Sequence, residues 1–181
     1  CFAYTNLRTI NYSGTAETWN AIEKAKGWHI EVPETQIKVR YSEWKFNEYT
    51  GVLTVALSGE DVKNTVPWKA YNKYIRTVIF LEGVTSVGDT WFSECYNLTE
   101  VKLPQSLEKI GDGAFSNCRN LSIVNMPENL KEIGYGAFRS TGLRYATIPD
   151  SVTTIGGYAF ADCTSLSGIK FPKGIQKLSE G

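Results

Sequence analysis

Cysteine, histidine and the carboxylates are the residues here that could do chemistry, and their spacing limits what chemistry that is. The chain holds four cysteines, one histidine and 19 Asp+Glu. Cys95, Cys118 and Cys163 each fall three residues after an aromatic and three before a leucine. A zinc site needs paired thiols at C-x2-C spacing or histidines beside them; thiols arriving once per 23 residues or more supply neither. His29, between Trp28 and Ile30 in an alternating stretch, has no second histidine to work with and reads as structural, so a Ser-His-Asp relay or a histidine-ligated metal lacks material. The pairs Gly111-x-Gly113 and Gly134-x-Gly136 echo phosphate loops, but lack the third glycine and the strand-turn-helix context. Glu100 and Glu108 sit on polar faces without the paired acid and base of a hydrolase. No catalytic residue, metal ligand or cofactor site is assigned, and the chain reads as a non-enzyme.

The elements that would have to position any site are repeats. Val87-Gly88, Ile110-Gly111, Ile133-Gly134 and Ile155-Gly156 step by 23, 23 and 22 residues. Around them recur Phe92, Phe115, Phe138 and Phe160, then Leu98, Leu121, Leu143 and Leu166, then an apolar alternation closed by Pro104, Pro127, Pro149 and Pro172. This period lies in the ~20–29 residue range of leucine-rich repeats. Within one coil, Leu121, Val124 and Met126 point inward while Ser122, Ile123 and Asn125 point out. Pro127 ends the strand because it has no N–H for a ladder. Leu130 and Ile133 return to the core, and Ala137-Phe138 reads as a short helical turn closing the coil. About six apolar anchors per coil, each worth ~1.5–3 kcal/mol when buried, do not offset ~1–2 kcal/mol of backbone entropy per residue. Coils therefore have to stack and cover one another. The expected fold is an α/β-type leucine-rich repeat solenoid, β-dominated. Its right-handed coils of about 23 residues carry a parallel sheet on one face and short helical turns or strands on the other.

Two readings of the cysteine slot stay open. One is a buried column of small apolar groups; the other is a Cys95–Cys118 disulfide, since rungs ~4.8 Å apart fall within the Cα range that bond tolerates. In the third coil the slot is shortened, and Ser140 or Thr141 takes it.

The stretch Leu143…Ile148-Pro149-Asp150-Ser151-Val152-Thr153-Thr154-Ile155-Gly156…Ala159-Phe160…Cys163…Leu166 resembles the BspA-like leucine-rich repeats of bacterial surface and secreted proteins. The resemblance is strong over residues 75–178 and moderate over 2–20. Tyr12-Ser13-Gly14-Thr15…Trp19 resembles the element that closes such an array. Trp44–Phe46 and Val52–Val55, alternating around Asn47–Gly51, resemble the hairpin that opens one. The expected organisation is 1–22, the end of a first array; 23–50, a connector with short strands and the start of a hairpin; and 51–181, a second array. Both ends read as cut within repeats, so the chain reads as a fragment of a longer array. Within 23–43, Trp28–Val32 and Ile37–Tyr41 alternate as strands broken by Pro33. Whether they join the second array or form a separate hairpin is open.

Composition narrows the partners. Lys+Arg and Asp+Glu are 19 each, so no global field recruits nucleic acid. No run reaches the ~18 apolar residues of a membrane span. Outward strand positions stack into columns: Arg76, Thr99, Ser122, Arg144, Ser167; Thr77, Glu100, Ile123, Tyr145, Gly168; Ile79, Lys102, Asn125, Thr147, Lys170. Arg76, Lys102, Ile123, Arg144, Tyr145 and Lys170 are the candidate binding residues, because exposed aromatics and arginine most often anchor interfaces. A merely solvated sheet face is the alternative. Trp19, Trp44, Trp68 and Trp91 read as core or capping residues rather than a sugar-stacking platform. The resemblance implies a secreted or cell-surface bacterial protein, and adhesion or host-protein binding as its function. A carbohydrate-binding accessory region and a structural stalk are the alternatives.

Overall fold

A computed structural model describes residues 9–12, 38–41, 44–59, 62, 66–175 and 177–178. The chain divides into two compact units, Cys1–Glu43 and Trp44–Gly181. In the first, β1 (Thr9–Tyr12) and β2 (Lys38–Tyr41) pair in parallel from Thr9↔Lys38 to Tyr12↔Tyr41. β2 pairs with β1 of its own unit, so the described part of the Ile37–Tyr41 alternation is a strand. Cys1, Trp19, His29 and the Trp28–Val32 alternation lie outside the described residues.

The second unit opens with a hairpin. β3 (Trp44–Asn47) and β4 (Val52–Val55) are antiparallel, with Trp44 opposite Val55 and Asn47 opposite Val52. Asn47 makes the turn: its side-chain oxygen accepts from the N–H groups of Tyr49 and Thr50 at 3.0 and 3.2 Å. Gly51 takes the left-handed φ of +71° that the turn requires. Coils then follow, each with two strands: β5 (Thr77–Phe80) and β6 (Ser86–Val87), β7 (Glu100–Lys102) and β8 (Lys109–Ile110), β9 (Ile123–Asn125) and β10 (Glu132–Ile133), β11 (Tyr145–Thr147) and β12 (Thr154–Ile155), β13 (Gly168–Lys170) and β14 (Lys177–Leu178). On one face β4, β5, β7 and β9 are parallel neighbours, edged by β3. On the other, β6, β8, β10, β12 and β14 form one uninterrupted parallel sheet.

The coil-closing segments are tight turns rather than running helix. Ala137 N–H donates to Gly134 O and Arg139 N–H to Gly136 O, while Phe92, Phe115 and Phe138 donate to Ala114, Ala137 and Ala159 of the next coil at 2.8 Å. A 3-10 turn stands at Lys69–Tyr71, ahead of the coils. Gly134 marks a close approach of neighbouring coils: a Cβ there would lie 2.7 Å from the carbonyl carbon of Gly111, which no side chain tolerates.

The core runs the length of the array as an aromatic spine. Trp68, Phe92, Phe115, Phe138 and Phe160 stack in turn at 5.6, 5.5, 5.4 and 5.4 Å between ring centres, within 12° of parallel. Trp68 stands where a coil phenylalanine would, with Trp44 and Trp91 packed edge-on against it. These three tryptophans therefore start the core. Beside the spine, Cys95, Cys118 and Cys163 are buried free thiols, and the Cys95–Cys118 disulfide is not formed. Cys118 Sγ donates to Phe92 O at 3.0 Å and Cys163 Sγ to Phe138 O at 3.1 Å. Burial pushes the Cys95 thiol up to about 12, partly opposed by the Lys69 charge. Burial raises Cys118 as well, with Cys95 beside it adding to the shift. Thiolates that costly to form are packing groups and not nucleophiles.

Candidate interaction face

The strand face places the outward columns by register. Thr77, Glu100 and Ile123 are ladder partners in sequence, as are Ile79, Lys102 and Asn125. Across the last two coils, Tyr145 pairs with Gly168 and Thr147 with Lys170. Between these groups the expected continuous columns are interrupted: β9 pairs with β7, β11 with β13, and no ladder joins β9 to β11. Ile123 and Tyr145 stand on opposite sides of this break.

The cause lies in the sequence one corner earlier. Phe115 is followed by Ser-Asn-Cys-Arg-Asn before Leu121, but Phe138 by only Arg-Ser-Thr-Gly before Leu143. In two of the full-length corners an asparagine ties the coil to the one before: Asn97 Nδ2 donates to Lys73 O at 2.7 Å, and Asn120 Nδ2 to Tyr96 O at 2.6 Å. The third coil lacks that residue. Gly142 settles onto Arg119 so closely that a Cβ would collide with its carbonyl oxygen. Thr141 takes the cysteine slot, donating to Phe138 O at 2.9 Å and lying 3.2 Å from Cys163 Sγ. The strand that follows begins 22 residues after β9, and no ladder joins the two. At the far end, Asn125 turns its amide back to the preceding coil, Nδ2 donating to Leu103 O at 3.0 Å and Oδ1 accepting from Leu103 N–H at 3.1 Å.

Opening the ladder exposes apolar surface. Val101 and Ala146 are buried in their strands, whereas the equivalent Val124 is only half-buried, and Met126 likewise against buried Leu103 and Ile148. Over them sit Ile123 at 57% and Tyr145 at 74% exposure. All six candidate residues are exposed, though not as one uninterrupted patch. Ile123, Arg144 and Tyr145 flank the break. Lys102, paired with Glu100 at 3.6 Å, lies one coil before Asn125; Lys170 lies beside Thr147, and Arg76 belongs to the coil of β5. Among the described residues, Arg76, Arg144 and Lys170 make no ion pair.

The opposite sheet is different in character. Lys109 Nζ reaches Glu132 at 3.0 Å and Lys131 reaches Glu108 at 2.9 Å. The hydrogen bond that Lys109 donates to Glu132 raises its pKa above the ordinary value. These charges satisfy one another around a shallow depression that Thr85 and Ser86 also line. Such exposed pairs are solvated surface worth little each. Among the described residues, no group of three or more His, Cys, Asp or Glu is placed to hold a metal, and no helix is long and apolar enough to cross a membrane.

One surface cluster was missed by reading strands alone. Tyr135 and Tyr158, both about half exposed, lie on the coil-closing turns with ring centres 5.5 Å apart. The Arg139 guanidinium lies 5.8 Å from the Tyr158 ring while its Nε donates to Asp162 Oδ2 at 2.9 Å. Tyr158 holds a left-handed φ of +58° where the second and third coils place Gly113 and Gly136. The signal was in the sequence: Gly-Tyr-Gly-Ala-Phe and Gly-Gly-Tyr-Ala-Phe stand one coil apart.

The comparisons agree with this architecture. The BspA type leucine rich repeat region matches residues 68–181, in six copies. A leucine-rich repeat protein of T. pallidum superposes with a TM-score of 0.56 at 22% identity, over 78% of this chain and 71% of that one. One from Eubacterium ventriosum superposes with a TM-score of 0.53 at 25% identity, over 71% of this chain and 41% of that one. Among curated proteins, none matches the sequence. With the family repeat spanning well over half its length and the coils stacked as that repeat requires, the chain belongs to the BspA type leucine-rich repeat family.

Proposed function

We propose that this chain is a non-catalytic interaction module of a bacterial surface or secreted protein, binding a protein ligand through its strand face. The observation that carries the reading is the exposed pair Ile123 and Tyr145, over half-buried Val124 and Met126 and beside unpaired Arg144. An aromatic, an aliphatic and an arginine around partly open core are the residue types that concentrate binding energy. Leucine-rich repeats form extended surfaces suited to this use, and membership of the BspA type family supports the surface or secreted location. The chain is read as the end of one array (1–22), a connector (23–50) and a second array (51–181). The β3–β4 hairpin just ahead of the matched repeats supports the start of the second.

The test is binding of the purified 181-residue protein to immobilised host matrix proteins and polysaccharides, alongside the variant Lys102→Glu/Arg144→Glu/Tyr145→Ala. Protein binding that the variant loses is the expected result. No binding to either panel favours a structural stalk. Binding to a polysaccharide that survives in the variant favours a carbohydrate-binding region, which Tyr135 and Tyr158 support as a second reading. Exposed aromatic faces beside a planar Arg–Asp pair suit a pyranose ring and its hydroxyls.

A further inference from the structure

Beyond the strand-face reading, we propose that the corner leading into β4, β5 and β7 is a binding ridge for an anionic, β-linked polysaccharide that runs along the array. Tyr49, Tyr74 and Tyr96 supply flat surfaces for its sugar rings, and Lys73, Arg76 and Arg119 engage its acid groups.

Register brings these residues together. Arg76 N–H donates to Gly51 O and Thr99 N–H to Arg76 O, both at 2.8 Å, and Ser122 N–H to Thr99 O at 3.1 Å. Gly51, Arg76, Thr99 and Ser122 therefore mark the same point on successive rungs. Tyr49 and Tyr74 each stand two residues before that point; Lys73, Tyr96 and Arg119 each stand three before it. Tyr49 is fully exposed, Tyr74 and Tyr96 about half. A lone exposed aromatic is ordinary surface, but three on one corner, one per rung, form a platform. The platform is also held in place. Asn97 and Asn120 tie the main chain at Lys73 and Tyr96, and Tyr74 N–H donates to Tyr71 O at 2.7 Å. The hairpin turn packs against it so closely that a Cβ on Gly51 would lie 2.8 Å from Tyr74 O and 2.9 Å from Arg76 Cγ. Groups fixed in advance lose little freedom when a ligand arrives.

Spacing and charge select the occupant. Rungs lie ~4.8 Å apart, and a β-linked hexose chain advances by about one rung per sugar, so successive rings meet successive tyrosines. An extended peptide presents side chains to one side only every ~6.8 Å and falls out of step. Tyrosine offers an apolar face to the C–H side of a sugar and a hydroxyl to its rim. The cations lie among the rings: Lys73 Nζ is 4.9 Å from the centre of the Tyr74 ring, and Arg76 and Arg119 are exposed. Lys69 stands behind them, near enough for its charge to act on Cys95. None of the four makes an ion pair among the described residues. Glu48 and Glu94 are the carboxylates beside the three tyrosines in sequence, so positive charge is in excess. That excess favours carboxylated or sulfated sugars over neutral ones, arginine pairing with either acid group through its planar fork.

The test is calorimetric titration of the full chain with β-1,4-linked oligomannuronates of two to six sugars and with chondroitin sulfate oligosaccharides, which separate carboxylate from sulfate recognition. Neutral β-1,4-linked mannohexaose and single-stranded poly-dT serve as comparisons. The expected result is that at least one acidic series binds, with affinity rising with length until the ridge is filled, and that mannohexaose binds at least tenfold more weakly. Tyr74→Ala/Tyr96→Ala should weaken binding by roughly tenfold or more, as the loss of two ring contacts implies. Lys73→Gln/Arg119→Gln should weaken it and flatten its dependence on salt. Urea midpoints should stay at the native value in both variants, since the side chains are exposed. Tyr145→Ala and Tyr135→Ala/Tyr158→Ala should bind as the native chain does, which separates this ridge from the strand face and from the tyrosines of the coil-closing turns. Failure of both acidic series to bind, equal binding of mannohexaose, or loss in the Tyr135/Tyr158 variant instead of the Tyr74/Tyr96 variant overturns the proposal. So does tighter binding of poly-dT, which would mark the tyrosines as a base-stacking platform.

Discussion

Tyr145 and Ile123 point outward from their strands and flank the break in the strand face. Leu121 and Leu143 anchor their coils in the same way, yet the corner before Leu143 is one residue short, and the two side chains on either side of it stand clear of the surface. Tyr145→Ala and Ile123→Ser should therefore shift stability by no more than ~0.5 kcal/mol, as for surface positions generally, while removing ligand binding. Chemical denaturation beside the binding assay separates the two effects. Cys95 behaves in the opposite way. Its thiol is pushed up from 9.0 to about 12 by burial, so the folded chain keeps a proton that the unfolded chain gives up. The stability it contributes is whole below about pH 9 and is lost as pH rises from there toward 12. Urea midpoints at about pH 8 and about pH 10.5 should fall further in the native protein than in Cys95→Ala. The cysteine column was legible from its spacing, and so was the exposure of the six face residues. The break was not, because the shortened slot alone does not say whether the coil absorbs the loss inside its turn or passes it to the strand. Thr141 filling the thiol site and Gly142 resting on Arg119 pass it on.

Elements in this chain are set by stacking more than by local propensity. The strands are two to four residues long and could not stand alone; they persist because each coil covers the next. The aromatic spine carries much of that coupling. Phe115 lies between Phe92 and Phe138 at 5.5 and 5.4 Å and is fully buried. Phe115→Ala should cost about 3–5 kcal/mol, the usual result of emptying a core aromatic site, read as a lowered urea midpoint. Glu108→Ala breaks only the exposed pair with Lys131 and should cost less than ~1 kcal/mol. Periodicity revealed the phenylalanines. It did not reveal Trp68 as the first member of the stack, because that tryptophan precedes the repeat phrase and carries none of its neighbours. Similarly, Ala137-Phe138 has helical composition, but its backbone bonds go to the next coil at Ala159, and the turn closes without becoming a helix.

At the scale of the whole repeat unit, the two faces divide the work. One sheet, from β6 to β14, is continuous, dotted with self-paired charges, and holds the coils in line. The other bears unpaired cations and is broken once, where Val124 and Met126 are half-buried. The central claim is that this break is open in the free protein and makes that face the binding side. Site-resolved amide hydrogen exchange on the unliganded chain tests it most directly. The account predicts an alternation: Val124, Met126, Tyr145 and Thr147, whose N–H groups face the break, exchange rapidly, while Ile123, Asn125, Ala146 and Ile148, directed to β7 and β13, are protected. Uniform protection of all eight would mean that β9 and β11 are paired, and would contradict the account.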